Sequence, residues 1–199
     1  MSKRPLLIII AGPNGSGKTS ITSKLLKHDW LENSIYINPD IVANDMFGDW
    51  NSLEAVQKAA NYCDALREKC LKENKSIIFE TVLSSPGKVD FILKAKEKGY
   101  FIRFFFVCTN SPIINASRIA NRVLRGGHDV PITKIISRYS KSIANGFYLS
   151  SEIDRSYFYD NSLEDKEPKL LFRTKNGKIS KQYRKISDWA IPIIENLNQ

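Results

Sequence analysis

Residues 12–19 read Gly-Pro-Asn-Gly-Ser-Gly-Lys-Thr and match every fixed position of the phosphate-binding P-loop pattern. An apolar run precedes this segment and a stretch with helical apolar spacing follows it. Glycines let the backbone curl so that its amides face a phosphate, and a helix N-terminus adds positive potential there. Lys18 can reach the β- and γ-phosphates, and the Thr19 hydroxyl can ligate Mg²⁺. The sequence therefore predicts an ATP and Mg²⁺ site formed by Gly12, Pro13, Asn14, Gly15, Ser16, Gly17, Lys18, Thr19 and Ser20.

Asp40 follows the short apolar segment 34–38, which is predicted to be the second strand. Ligands of parallel α/β sheets bind at the carboxyl ends of the strands. A carboxylate placed there can accept the proton of an attacking alcohol, and this is the role we predict for Asp40. An alternative is that Asp40 only caps a helix over residues 41–46.

Glu80 and Thr81 follow the next predicted strand, over residues 76–79. Glu80 is expected to face the same edge of the sheet and to contact the acceptor or a metal-bound water. The alternative for Glu80 is a loop acid that caps a helix near residues 86–88.

Three arginines, Arg118, Arg122 and Arg125, share one helix face because they are spaced four and three residues apart. The breaker segment 126–131 follows them, and Arg138 lies on the next predicted helix. Phosphoryl transfer needs cations around oxygens that gain charge, so we predict a closing lid over residues 118–138. A solvated basic helix face is the alternative.

Other P-loop classes carry features that this sequence lacks: a Walker B strand ending in aspartate, a transporter signature loop, or a GTPase base-reading motif. What remains is the small-molecule kinase class, with an alcohol as the acceptor. The net charge of +9 would also suit a nucleic-acid end kinase, but the basic residues are scattered along the chain, which argues against nucleic acid as a partner. A non-catalytic ATP-binding regulator is a third possibility.

Strands alternating with helices predict an α/β fold: a parallel sheet with helices on both faces in one domain over residues 1–199. An Asn176-Gly177 turn predicts a small C-terminal hairpin, followed by a closing helix. Asn161 ends the fifth predicted strand and is interpreted as a turn residue rather than as a contact to adenine or its loop. The predicted strands cover residues 6–10, 34–38, 76–79, 100–107 and 156–159, the hairpin 169–173 and 178–183, and the helices 18–27, 53–72, 88–98, 113–124, 132–144 and 189–197.

The composition is that of a globular protein, with 42% hydrophobic and 26% charged residues. No apolar run approaches the ~20 residues of a membrane helix, so no membrane is expected as a partner. The three cysteines, Cys63, Cys70 and Cys108, lack metal-ligand spacing and suit a reducing compartment, which indicates the cytoplasm.

Together these residues resemble the zeta-toxin family of P-loop kinases, and the closest likeness is to its short bacterial members. The resemblance rests on the P-loop, Asn38-Pro39-Asp40, Phe79-Glu80-Thr81, and the arginine helix that runs into Gly-Gly-His-Asp-Val-Pro at residues 126–131.

The resemblance implies a chloramphenicol-phosphotransferase-like or shikimate-kinase-like fold. It also implies an ATP-dependent kinase that phosphorylates a hydroxyl of UDP-N-acetylglucosamine and is blocked by an antitoxin protein. On this resemblance Asp40 matches the general base, Glu80 and Thr81 match substrate contacts, and Arg122 matches an arginine that stabilises the transferring phosphate. Arg118, Arg125 and Arg138 compete for the role of the second arginine.

Overall fold

The fold is described from a computed structural model. The description covers residues 4–28, 31, 33–48, 52–127, 129–164 and 166–197.

A seven-stranded sheet forms the centre, with the order β2-β3-β1-β4-β5-β6-β7. The first five strands run parallel, and the last two add as an antiparallel hairpin. Such a mostly parallel sheet needs helical crossovers, which explains the alternation seen in the sequence. The strands are β1 (Leu6–Ala11), β2 (Ile35–Ile37), β3 (Ile77–Thr81), β4 (Phe101–Cys108), β5 (Arg155–Asp160), β6 (Lys169–Lys175) and β7 (Lys178–Gln182).

Seven α-helices cover the sheet in the described part of the chain. They are α1 (Lys18–Leu25), α2 (Pro39–Phe47), α3 (Leu53–Lys72), α4 (Pro86–Glu97), α5 (Pro112–Leu124), α6 (Ile132–Glu152) and α7 (Ile191–Leu197). The predicted α/β fold with helices on both faces is confirmed.

The two faces of the sheet are covered unequally. On one face, α1 packs Ile21 and Leu25 against Ile8, Ile10 and Ile78 of the central strands. On the other face, α3, α4, α6 and α7 bury a much larger core that includes the ring pairs Phe104–Phe106 and Phe158–Phe172. Each large side chain buried in this way stabilises the fold by roughly 1.5–3 kcal/mol. The P-loop helix therefore lies on the lightly covered face.

The C-terminal hairpin follows the sequence prediction. Asn176 and Gly177 both have positive φ, 49° and 73°, as a two-residue turn of this type requires. The closing helix begins as a 3-10 turn, Asp188–Ala190, and Pro192 falls in the first turn of α7, where its missing amide costs nothing.

Several boundaries differ from the sequence prediction, most of them by one or two residues, and two of the differences change how a segment is interpreted. Strand β3 includes Glu80 and Thr81, which pair with Ile10 and Ala11 instead of following the strand. Helix α6 continues eight residues beyond the predicted end at 144, through Gly146. A Cβ at Gly146 would lie 2.9 Å from the Phe106 ring, so this glycine permits close packing of the helix on the sheet and does not end it.

All three cysteines are buried free thiols, as small apolar side chains would be. Among the described residues, no helix has the length and apolar character needed to cross a bilayer.

Candidate functional site

The P-loop leaves β1 at Gly12 and enters α1 through Gly17. Gly12 has a φ of +147°, and a Cβ there would lie 2.0 Å from the Val107 carbonyl oxygen. Gly17 has a φ of +93°, and its Cβ would lie 2.1 Å from the side-chain nitrogen of Asn161. No L side chain fits either position, which is the local reason for glycine at both.

The N-terminus of α1 is prepared for an anion. It has no side-chain cap and no acidic residue in its first turn. The hydroxyl of Ser16 is fully buried, and the described residues offer it no hydrogen-bond partner. Unsatisfied donors and the helix dipole together bind phosphate at such a terminus.

A magnesium ion has a donor in the same turn. Thr19 and Ser20 are exposed in the first turn of α1. The described residues contain no cluster of three or more metal-binding side chains, so an ion would be held by the Thr19 hydroxyl together with phosphate oxygens and water. This is the usual way in which Mg²⁺ is bound beside a nucleotide. The residues present fit that arrangement.

Lys18 folds back over the loop and donates hydrogen bonds from Nζ to the carbonyl oxygens of Gly12 and Pro13, at 2.9 and 3.0 Å. Burial lowers the pKa of Lys18 from its ordinary value to about 8. The carboxylates of Glu80 and Asp40 oppose this lowering of the pKa, and the charge of Arg122 adds to it. Four residues predicted from separate segments thus lie within electrostatic range of one another.

Asp40 and Glu80 are joined by a short hydrogen-bonded chain. The Asp40 amide donates to Asn38 Oδ1 at 2.9 Å, and Asn38 Nδ2 donates to the Tyr36 hydroxyl at 2.9 Å. Tyr36 in turn donates to Glu80 Oε1 at 2.7 Å. Burial and the neighbouring carboxylates raise the pKa of Tyr36, so it stays a neutral donor. The chain fixes Glu80 and the start of α2 relative to each other.

Both alternatives for the two acids are wrong. Asn38, not Asp40, is the N-cap of α2, because its side chain accepts the Asp40 amide. Glu80 caps no helix, since α4 begins after Ser85 without a side-chain capping bond and Glu80 is bonded to Tyr36. Asp40 is exposed in the first turn of α2. Its negative charge acts on the pKa of Lys18, so the two side chains lie within electrostatic range of each other.

Thr81 connects the two loops at the edge of the sheet. Its carbonyl oxygen accepts a hydrogen bond from the Gly12 amide at 3.3 Å, and its hydroxyl accepts one from the Leu83 amide at 3.0 Å. Its predicted role as a substrate contact stays a prediction.

The arginines separate into different surroundings. Arg122 is the one of the four whose positive charge helps to lower the pKa of Lys18. Arg138 donates from Nη1 to Asn14 Oδ1 of the P-loop at 3.5 Å. Arg118 instead donates to the Leu163 carbonyl oxygen at 3.1 Å, in the loop after β5, and Arg125 is exposed at the end of α5. The geometry therefore favours Arg138 as the partner of Arg122.

His128, to which the sequence assigns no catalytic role, lies outside the described residues. The two parts of the predicted lid on either side of it, α5 and α6, pack through Ile119, Val130 and Ile135.

Sequence reasoning missed two asparagines beside the P-loop, one of which holds it. Asn161 is buried and donates from Nδ2 to the Ser16 carbonyl oxygen at 2.9 Å, so its interpretation as a turn residue is wrong. The backbone of Asn115 lies under Gly15, where a Cβ would be 2.6 Å from the Asn115 carbonyl oxygen. The position of Asn161 directly after a strand of the parallel sheet was the signal that could have found it.

The parallel sheet order around a P-loop defines a P-loop kinase-like α/β fold. The family model described as zeta toxin matches residues 1–145, and the chain belongs to that family. An uncharacterized protein of Haemophilus influenzae is 28% identical over 132 residues, which are 66% of this chain and 91% of that protein.

Solved structures show the same fold. One is the AvrRxo1-ORF1:-ORF2 complex, with a TM-score of 0.70 and 18% identity over 98% of this chain. The chain spans 64% of the matched AvrRxo1 chain. A second structure of that complex contains ATP, and this chain matches it with a TM-score of 0.68. Another belongs to the PezAT chromosomal toxin–antitoxin system of Streptococcus pneumoniae, with a TM-score of 0.65 and 17% identity over 98% of this chain and 79% of that one.

Proposed function

We propose that this protein is an ATP-dependent kinase that transfers the γ-phosphoryl group of ATP to a hydroxyl of a small molecule. The observation that carries the proposal is the grouping at the end of the P-loop: Lys18 lies on the loop carbonyl oxygens, and the Tyr36–Asn38 chain links Glu80 to the first turn of Asp40's helix. A purely regulatory nucleotide site has no need of an exposed carboxylate at that position.

Transfer forms a bond between the acceptor oxygen and the γ-phosphorus and breaks the bond from that phosphorus to the β–γ bridging oxygen. Asp40 takes the proton of the acceptor hydroxyl, and ADP leaves. Lys18 and Arg122 stabilise the charge that shifts onto the phosphate oxygens. A bound Mg²⁺ at Thr19 would add charge neutralisation at the phosphates.

The tyrosine–asparagine chain supports this assignment of roles. Glu80 has one carboxylate oxygen committed to Tyr36, which leaves the other to orient an acceptor hydroxyl. Asp40 has its amide tied to Asn38, so its carboxylate projects from a fixed first turn of α2. We assign Glu80 and Thr81 to acceptor binding, and Asp40 to the proton.

For the acceptor we propose a nucleotide sugar such as UDP-N-acetylglucosamine, on the basis of membership in the zeta toxin family. The AvrRxo1 and PezAT structures are complexes or systems of two proteins. We accordingly propose an antitoxin-like protein partner for this chain, and the buried free thiols favour a cytoplasmic location.

The test is a screen with γ-labelled ATP against nucleotide sugars, nucleotides, a 5′-hydroxyl oligonucleotide and a cell extract, with each labelled product identified by mass. We expect one small-molecule product with the wild-type protein and none with Lys18→Ala. Label on the oligonucleotide would instead identify a nucleic-acid end kinase. Slow release of phosphate without any labelled acceptor would leave a regulator as the function.

A further inference from the structure

Beyond α1, one face of the sheet has no helix of the described chain packed on it. Helix α1 connects β1 to β2, whereas the connections after β2, β3 and β4 cross the sheet in the opposite direction. Right-handed crossovers of opposite direction lie on opposite faces. Among the described residues, the hydrophobic cluster on the α1 face accordingly takes helix side chains from α1 alone. We call the part of this face formed by β4–β7, which contains Phe105 and Tyr157, the open face.

The burial pattern of β5 and β6 shows that solvent reaches the open face. Ser156, Phe158 and Thr174 point to the opposite face, and each is at most 1% exposed. Tyr157 and Arg173, which alternate with them, are only half-buried. A two-residue period of this kind is typical of strands that are covered on one face only.

The register of the strands places a row of cations across the open face. Residues that lie opposite each other on neighbouring strands share a face. Arg103 of β4 lies opposite Arg155 of β5. Lys175 of β6 lies opposite Arg155 on one side and opposite Lys178 of β7 on the other. One row therefore contains four cations from four consecutive strands.

The next row combines aromatic rings with cations. Phe105 lies opposite Tyr157, and their rings are stacked with centroids 4.7 Å apart. Tyr157 lies opposite Arg173, and Arg173 lies opposite Lys181. Together the two rows bring six cations onto the open face: Arg103, Arg155, Arg173, Lys175, Lys178 and Lys181.

These positive charges are not neutralised by acidic neighbours. Like charges directly opposite each other destabilise a sheet. Within the described ranges, no ion pair with a carboxylate is formed by Arg155, Arg173, Lys175, Lys178 or Lys181. Asp160 is the one acid in β4–β7, and it accepts a hydrogen bond from Trp189, which belongs to the core on the opposite face. Asp154, just before β5, is already paired with Arg4. A bound polyanion would relieve this repulsion.

The excess positive charge of the chain is also concentrated here. Residues 168–187 contain seven basic residues and no acidic residue, and the remaining 23 basic and 21 acidic residues nearly cancel. The scatter of basic residues along the sequence argued against nucleic acid, but folding collects them on one face. Lysines on an edge strand can simply discourage strand addition, which would account for Lys178 and Lys181. It does not account for Arg155 and Arg173, which lie on the interior strands β5 and β6.

Three tyrosines lie beside the cations. Burial raises the pKa of Tyr159 to about 12, and Tyr157 and Tyr183 add to the rise, so the three side chains are close to one another. Lys181 Nζ lies 5.0 Å from the ring centroid of Tyr183, which is exposed. Aromatic rings next to cations are the means by which proteins bind single-stranded nucleic acid, because bases stack on the rings while phosphates contact the charges. An acidic protein is a poorer match, since protein interfaces are depleted in lysine.

We propose that the open face binds single-stranded nucleic acid, with the phosphates on the six cations and the bases against the tyrosines. The surface is separate from the candidate active site. Its first row is in register with Ile8 in the middle of β1, whereas the P-loop begins at Gly12, beyond the end of that strand. The proposal therefore does not rest on the kinase function.

The experiment follows the fluorescence anisotropy of labelled oligothymidylate and oligouridylate over a series of salt concentrations, and the tighter ligand identifies DNA or RNA. With six phosphates contacted, we expect the logarithm of the binding constant to fall against the logarithm of salt with a slope of roughly −4. The triple variant Lys175→Gln/Lys178→Gln/Lys181→Gln should reduce the slope to about −2 and weaken binding at low salt by tenfold or more. Its melting temperature should not fall, because the like-charge neighbours are removed.

Lys69→Gln/Lys72→Gln/Lys98→Gln is the matched control, since it removes the same charge from exposed lysines of α3 and of the turn after α4. It should keep the slope and the affinity of the wild type. Tyr183→Ala should weaken binding by about tenfold with an unchanged slope, because stacking carries no counterion term. Equal losses in the two triple variants, or wild-type binding by Tyr183→Ala, would overturn the proposal.

Two competitors separate single-stranded nucleic acid from other polyanions. A duplex hides its bases from the tyrosines, and polyglutamate has charge without bases, so both should compete weakly. Displacement of the oligonucleotide by either one at equal charge would contradict the proposal. Lys18→Ala should bind the oligonucleotide as the wild type does, so binding would survive a failure of the kinase function. Loss of binding in Lys18→Ala would place the oligonucleotide at the P-loop and overturn the assignment to the open face.

Discussion

The two halves of the candidate active site are built in opposite ways. The donor half is the P-loop, and the acceptor half is the facing side with Asp40 and Arg122. On the P-loop side, the backbone is fixed by glycines without room for a side chain, by Asn161 under Ser16, and by the Lys18 ammonium on two loop carbonyls. On the facing side, Asp40 and Arg122 are exposed residues near helix ends. Every nucleoside triphosphate presents the same phosphates, so the donor half can be rigid before binding. The acceptor half has to admit and release a variable molecule, which favours side chains that close on it.

This contrast separates the expected effects of mutation. Changes in the donor half should weaken ATP binding and transfer together. Changes in the acceptor half should slow transfer while ATP still binds, because their contacts form only when the acceptor and the transition state are present.

The largest effect is expected for Lys18→Ala. Lys18 is the only cation placed directly on the P-loop carbonyls among the described residues, so its loss should reduce product formation by about 10³-fold or more and weaken ATP binding. Circular dichroism should show an intact fold, since Lys18 bonds loop carbonyl oxygens and belongs to none of the hydrophobic clusters. Turnover near that of the wild type would remove the P-loop from catalysis.

Asp40→Asn should lower product formation by about 10²–10⁴-fold, the usual range for loss of a general base, with ATP affinity nearly unchanged. The cap of α2 belongs to Asn38, so the fold should not depend on the Asp40 carboxylate. The measurement is steady-state kinetics beside calorimetric ATP binding. A parallel loss of stability and activity would contradict the assignment of Asp40 as a base.

Arg122→Ala should lower kcat by about 10²-fold while changing ATP binding much less, because a charge at the transferring phosphate gains most in the transition state. Arg122→Lys should restore only part of the rate, since an ammonium lacks the planar two-pronged contact. Arg125→Ala is the matched control on the same helix and should stay close to wild type. A normal rate for Arg122→Ala would move the role to Arg138, which contacts Asn14.

Asn161→Ala tests the rigidity of the donor half. It removes the donor to the Ser16 carbonyl and leaves that buried acceptor unsatisfied, at a cost of about 1–3 kcal/mol. We expect ATP affinity to fall by about tenfold and the melting temperature to drop. Asn110→Ala, in the exposed loop after β4, should change neither. ATP affinity that is unaffected by Asn161→Ala would mean that the loop holds its shape without this bond.

The same contrast decides what the sequence could predict. The donor half follows from local rules: a strand, glycines at fixed spacing, a lysine and a helix. The fold class follows from the alternation of elements, and the hairpin from Asn176-Gly177. These features need no knowledge of distant contacts.

The missing parts all depend on contacts between distant segments. Asn161 meets Ser16 across 145 positions, and Tyr36 meets Glu80 across 44. Helix α6 was predicted to end too early because Gly146 looks like a breaker until its contact with Phe106 is known.

The smallest expected effect is a pH dependence of ATP binding. Burial holds the pKa of Lys18 at about 8 in the free protein, well below its ordinary value of 10.5. Lys18 is therefore mostly charged at pH 7 and loses its proton as the pH rises through 8, so ATP affinity should be higher at pH 7 than at pH 8 and fall further above it. A pKa of about 8 gives a loss of roughly fourfold at pH 8.5. Lys18→Arg should bind ATP with no such inflection, because guanidinium stays charged throughout this range. Lys88, whose pKa is also lowered to about 8 but which pairs with Asp64, is the group to exclude. If the inflection disappears in Lys88→Gln and persists in Lys18→Arg, the titrating group is not the P-loop lysine.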